Sequence, residues 1–178
     1  LFHPDTYQFA VRLFALACSG HNVILPPNGQ HETLSLLLAQ SAFFAGDATN
    51  IDDDVLFTNL ELSLGHTPLQ TNRLQWPTNT AVIFYTSGSS GQSKPIVKPW
   101  RGLNRELAVL SMSFDLPSQF TFLATVSHQH IYGLLFRLLW PLAKGHIIDS
   151  EQIQYPEHIA QRLKNIRYAA LVSSPAQL

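Results

Sequence analysis

Residues 84–100 read FYTSGSSGQSKPIVKPW, an apolar run that breaks into Thr, Ser and Gly, meets a lysine, and turns apolar again. A stretch of this composition cannot continue a strand or a helix. Glycine lowers the preference for either, and serine competes for the backbone with its own hydroxyl. The preceding AVIFYTS reads as a buried strand, so the segment is a loop leaving a strand end inside a core pattern. A loop at the carboxyl end of a parallel strand opens where α/β folds bind ligands. Gly88 and Gly91 let the backbone approach an anion. Thr86, Ser87, Ser89 and Ser90 add hydroxyls to the backbone N–H groups, and Lys94 adds a mobile positive charge. Such a set suits a polyphosphate. The competing reading is a flexible Ser/Gly linker. The apolar flanks speak against it.

Spacing excludes three other glycine-bearing motifs. In a Walker loop the lysine follows a glycine directly, whereas Gln92 and Ser93 separate Gly91 from Lys94. A nucleophile elbow needs Gly-x-Ser-x-Gly, which TSGSSGQ lacks. The dinucleotide fingerprint fails on the same count.

The rest of the chain alternates helix and strand patterns. Phe9, Leu13 and Leu16 mark one helical face, and Gly20 is placed as its stop. VILPP is a short strand candidate. Asn28 is placed to cap a helix through HETLSLLLAQ, and AFFAGD is the next strand candidate. Residues 50–79 are acidic, then turn-rich and aperiodic, and read as an irregular connection. Leu103, Leu107, Leu110 and Phe114 mark a further helix, FTFLATVS a strand, and HIYGLLFRLLWPLAKG a helix ending at Gly145. HIID is a short strand, Ile159, Leu163 and Ile166 mark a helix, and YAALVSS a last strand. Short apolar strands alternating with amphipathic helices predict an α/β fold, a mostly parallel twisted sheet flanked by helices on both faces. Residues 1–178 are expected to form a single, partial domain.

Charge and cysteine content narrow the function. A formal net charge of −1 leaves no basic footprint for nucleic acid or for an anionic membrane. No apolar run is long enough to span a bilayer, since IYGLLFRLLWPLA carries Arg137 and is too short. The stretch FAVRLFALACSG is read as an amphipathic helix, not a signal peptide, because Asp5 precedes it and Arg12 interrupts it. One cysteine, Cys18, cannot form an internal disulfide, which fits a reducing, cytoplasmic setting. His128 and His130 form a His-x-His pair that could hold zinc only with further ligands, which the neighbouring sequence does not offer. The IDDD cluster reads as a solvated loop rather than a metal site. The remaining six histidines read as surface residues.

The loop YTSGSSGQSK resembles the phosphate-loop signature of the adenylate-forming (AMP-binding) superfamily, which includes acyl-CoA synthetases, luciferases and the adenylation domains of peptide synthetases. Tyr85, Thr86, Ser87, Gly88, Ser89, Ser90, Gly91 and Lys94 match. Ser93 stands where proline is usual and Pro95 where glycine is usual. SGHNVILPPNGQHETLSLLLAQSAFFAGD is similar to the family's earlier segment, and YAALVSSPAQL to a later strand and Pro turn. VSHQHIYGLLFRLLWPLAKGHII is similar to the segment after the phosphate loop, where acyl- and aryl-CoA ligases carry His-hydrophobic-Tyr-Gly. In the family that segment lines the acyl pocket, and its aromatic residue gates it.

The resemblance implies ATP and magnesium as cofactors, with residues 86–91 and Lys94 on the nucleotide phosphates and Lys94 catalytic. His130, Tyr132 and Gly133 would bind a carboxylic acid, with CoA or a phosphopantetheinyl carrier protein as acceptor. SFDLPS resembles the Phe-Asp that amino-acid-activating domains use, but it is out of register. His130 instead of Asp at the pocket position favours an acyl or aryl acid. The family's Thr-Glu motif, ribose-binding Asp, hinge and distal Lys would lie beyond Leu178. The chain is therefore expected to be the front part of the large N-terminal domain, inactive alone. It should leave apolar surface uncovered and be prone to dimerise or aggregate. The alternative is a non-catalytic nucleotide-binding or partner-docking module, supported by the two altered loop positions.

Overall fold

The structure, a computed structural model, describes residues 1–47, 79–86, 94–116 and 119–177. The connection expected near 50–79 therefore lies almost wholly outside the described residues. The chain divides into two compact units: Leu1–Pro4 with Gln8–Arg101, and Asp5–Tyr7 with Gly102–Leu178.

In the first unit the sequence pattern and the burial agree. Helix α1 (Thr6–Cys18) buries Phe9, Leu13 and Leu16, the face set by the four-and-three spacing. The helix stops at Gly20, whose φ of 86° is open to glycine at no cost. The Gly20 N–H donates to Ala17 O and the His21 N–H to Leu16 O, the paired bonds of a Schellman stop. Strand β1 (Val23–Leu25) follows, then α2 (His31–Leu38). Asn28 does not cap α2. The N-cap is Gln30, and the Asn28 Oδ1 accepts the Gln30 N–H at 3.0 Å, turning the chain before the helix begins. AFFAGD does not form a strand either. It makes one isolated bridge, Phe2 to Gly46, because Gly46 at φ 142° leaves the extended region.

Strands β2 (Ala81–Thr86) and β3 (Lys94–Pro99) complete a sheet of order β1-β2-β3. β1 runs parallel to β2, with Leu25 opposite Phe84, and β3 runs antiparallel to it. β2 is the central strand and buries Val82 and Phe84. β3 carries Pro95 and Pro99 at an edge, where the missing N–H groups cost least.

The second unit takes most of α3 (Trp100–Ser113). Leu103 and Leu107 are buried as their spacing predicts, while Phe114 lies past the helix end and is exposed. Strands β4 (Thr121–Ala124), β5 (Ile147–Gln152) and β6 (Ala169–Val172) form an all-parallel sheet of order β5-β4-β6. Phe122, Leu123 and Ala124 of the central strand are almost fully buried, the continuous apolar run expected of a covered parallel strand.

Between β4 and β5 runs a helical stretch in three parts: α4 (Ile131–Gly133), a π-helical segment (Leu134–Leu139) and α5 (Trp140–Ala143). The Trp140 N–H reaches back five residues to Leu135 O. Pro141 follows at once and has no N–H to continue an α-helical ladder, which accounts for the widened turn here. Helix α6 (Pro156–Leu163) buries none of its residues, so the expected Ile159–Leu163–Ile166 face is not core. The fold class is α/β with parallel strand pairing, as the sequence predicts. The strands are shared between two small sheets.

Candidate functional site

The strand before the phosphate-loop segment and the strand after it are hydrogen-bonded neighbours. Thr86 ends β2, Lys94 begins β3, and their Cα atoms are partners in the antiparallel ladder. Ser87, Gly88, Ser89, Ser90 and Gly91 lie outside the described residues. Lys94 is exposed at this end of the sheet, beside the carboxyl end of β2. Pro95, at the position where glycine is usual, sits within β3 opposite Tyr85. The fixed φ of proline suits an extended edge strand.

His130, Tyr132 and Gly133 lie together at the start of the helical stretch that follows β4. His130 is exposed, has extended backbone (φ −98°, ψ 152°) and is the N-cap of α4. Tyr132 is 44% exposed, and its ring leans on Phe136 one turn on, centroids 4.9 Å apart. Gly133 is buried. A Cβ there would come 2.0 Å from the Ser127 carbonyl oxygen, so the space beside this glycine is filled by the loop that leads into the helix.

Other functional candidates were not singled out by sequence reasoning. Arg137 is completely buried. Its Nη1 donates to Val126 O at 2.9 Å, and its Nη2 donates to Thr6 Oγ1 at 2.7 Å and Ser150 O at 3.0 Å. Burial pulls its pKa down to about 10, against the opposing pull of Asp149 and Asp5. His128, in the loop between β4 and α4, is buried too, with Nδ1 3.2 Å from Thr6 Oγ1. A cation in the run LLFRLLW, with no polar face to occupy, was the signal available for Arg137.

At the carboxyl ends of β4 and β6, Thr125 Oγ1 meets Ser173 Oγ at 2.8 Å and Gln177 Oε1 at 3.0 Å, and Gln152 Nε2 donates to Thr125 O. His146 is half-buried, not fully exposed. Its ring stacks on Phe122 and stands edge-on to Phe120, and neither ring nitrogen has a hydrogen-bond partner. Among the described residues, no three His, Cys, Asp or Glu side chains gather as a metal ion would require. No helix among the described residues is long and apolar enough to cross a membrane.

The phosphate-loop signature lies, in sequence, between two paired strands and is followed by a parallel βα unit. The chain belongs to the AMP-binding enzyme family, which it matches over residues 18–178. This is a family of AMP-forming ligases. The chain is also 32% identical over 117 residues to a protein of Oryza sativa subsp. japonica described as 4-coumarate–CoA ligase-like 4. That similarity covers 63% of this chain and 21% of the rice protein, so the chain spans a small part of its relative's length. No solved structure matches it.

Proposed function

We propose that the whole protein activates a hydrophobic or aromatic carboxylic acid with ATP and passes the acyl group to the thiol of CoA or of a phosphopantetheinyl carrier protein. In the first half-reaction a carboxylate oxygen attacks the α-phosphorus. The bond from that phosphorus to the bridging oxygen breaks, and pyrophosphate leaves. In the second, the thiol sulfur attacks the acyl carbon and AMP leaves. The observation that carries this reading is the family match across the phosphate-loop signature, with Thr86 and Lys94 held in register at its two ends.

In this reading Thr86, Ser87, Gly88, Ser89, Ser90 and Gly91 cradle the phosphates, and Lys94 offsets charge that builds on the leaving group. His130 and Tyr132 contribute to the acid site, and Gly133 allows the loop and helix that carry them to meet. Both compact units belong to one partial AMP-binding domain, which is supported by a family match running through both. A cytoplasmic setting accords with the free, exposed Cys18. Self-association through exposed apolar side chains such as Met112, 87% exposed, belongs to the same account. Sedimentation of the wild type against Met112→Glu tests it.

The acid class follows from what the proposed pocket residues offer. A tyrosine ring gives a flat apolar wall, and neither His130 nor Tyr132 supplies a carboxylate for an ammonium group. Burying an unpaired ammonium costs on the order of a few kcal/mol, a selectivity of roughly a hundredfold or more. ATP–pyrophosphate exchange by the whole protein with a panel of acids tests this. Aromatic and long-chain acids should outpace the matching amino acids. An amino acid turned over as well as its des-amino analogue would refute the pocket assignment.

A further inference from the structure

The loop between β4 and α4 is held at three consecutive residues by three different groups. The Val126 carbonyl accepts from Arg137 Nη1 at 2.9 Å. The Ser127 carbonyl lies against Gly133, so close that no side chain fits between them. The His128 ring reaches Thr6 Oγ1 at 3.2 Å. Thr6 Oγ1 donates to Ser150 O at 2.7 Å and accepts from Arg137 Nη2, so its one proton is committed. The His128 contact then requires Nδ1 to carry the proton and donate. Two residues further on stands His130, at the start of the helical stretch that carries Arg137 seven residues later.

Volume alone does not explain Arg137. A leucine or methionine would fill the space without the cost of burying a cation. The guanidinium supplies a rigid fork that serves two carbonyls and a hydroxyl at once. Those acceptors come from the β4 exit, from β5 and from the first residue of α1. We propose that Arg137, with Thr6, is a positioning residue. It fixes the 125–130 loop so that His130 and Tyr132 are presented to the acid in one arrangement. This inference rests on the acid-site reading given above.

The test uses the whole protein with Arg137→Met, Arg137→Lys and Thr6→Val. Methionine keeps an apolar side chain of similar length in the core, lysine keeps the charge without the fork, and valine keeps the shape of Thr6 without its hydroxyl. Amide hydrogen exchange over 125–130 is compared with exchange over 81–86, and the KM for the acid with that for ATP. Arg137→Met should speed exchange over 125–130 by about tenfold or more, the worth of one hydrogen bond from a charged donor, and leave 81–86 unchanged. It should raise the KM for the acid by a similar factor while the KM for ATP holds. Arg137→Lys should recover part of both effects, and Thr6→Val should show the same pattern more weakly. If Arg137→Met does not fold, the other two variants carry the comparison.

Unchanged exchange over 125–130 would overturn the proposal. So would faster exchange with an unaltered KM for the acid, or equal losses toward both substrates. A wild type that activates no acid would overturn the functional reading instead, and the exchange comparison would still decide whether Arg137 holds the loop.

Discussion

Thr86 and Lys94 are partners across an antiparallel ladder that begins at Ala81 and Pro99. The two ends of the phosphate-loop segment are therefore fixed by sheet register rather than by the segment itself. Register is strongly specified here, because β2 is a central strand with buried Val82 and Phe84 and a one-residue slip would turn them outward. The backbones of Thr86 and Lys94 thus lie side by side at this end of the sheet.

Pro95 is a departure from the family signature that the ladder accommodates at an edge. It occupies an exposed edge-strand position opposite Tyr85. Pro95→Gly should change adenylation by no more than about twofold, the scale of an ordinary surface substitution. A large gain in rate would show that proline restrains Lys94.

Gly133 is required by its contact with the Ser127 carbonyl, not by helix geometry. Gly133→Ala would place a methyl carbon 2.0 Å from that oxygen unless the loop moves. Overpacking of this kind costs about 1–3 kcal/mol, sometimes more. Urea unfolding should show a loss in that range, together with a raised KM for the acid. An alanine variant of unaltered stability would contradict the contact.

His146 sits between Phe120 and Phe122 with both ring nitrogens buried and unpartnered. A phenyl ring would keep the stacking and remove the buried polar atoms. His146→Phe should therefore raise unfolding stability by about 1–3 kcal/mol, the desolvation cost of such groups. Destabilisation would show that the imidazole has a polar role that the present contacts do not account for.

The helix faces were legible because burial follows periodicity, as at Phe9, Leu13 and Leu16 in α1 and Leu103 and Leu107 in α3. Family membership was legible because the loop's combination of glycine, hydroxyl and lysine is an uncommon signature, and it falls within the matched residues 18–178. Local turn chemistry was harder to read. Asn28 is a good capping residue, but its side chain closes a turn two residues before the helix and leaves Gln30 as the cap. The α6 stripe at Ile159 and Leu163 has helical spacing, yet spacing does not say whether a face is covered. The apolar run around Arg137 flags it as unusual, but its pairing with Thr6 was beyond reach for another reason. Their hydrogen bond joins positions 131 residues apart, and nothing local to either residue encodes it.

On the proposed function, Lys94 serves the phosphates of ATP in the first half-reaction. The direct test is to measure, in the whole protein, ATP–pyrophosphate exchange with the best acid from the panel, and thiol transfer from a preformed acyl-adenylate, for wild type and Lys94→Ala. The account predicts a loss in exchange of about a hundredfold or more, on the scale of removing one group that stabilises transition-state charge. It predicts thiol transfer within about twofold of wild type, because the pyrophosphate has already left. Equal losses in both half-reactions, or exchange that survives the substitution, would contradict it.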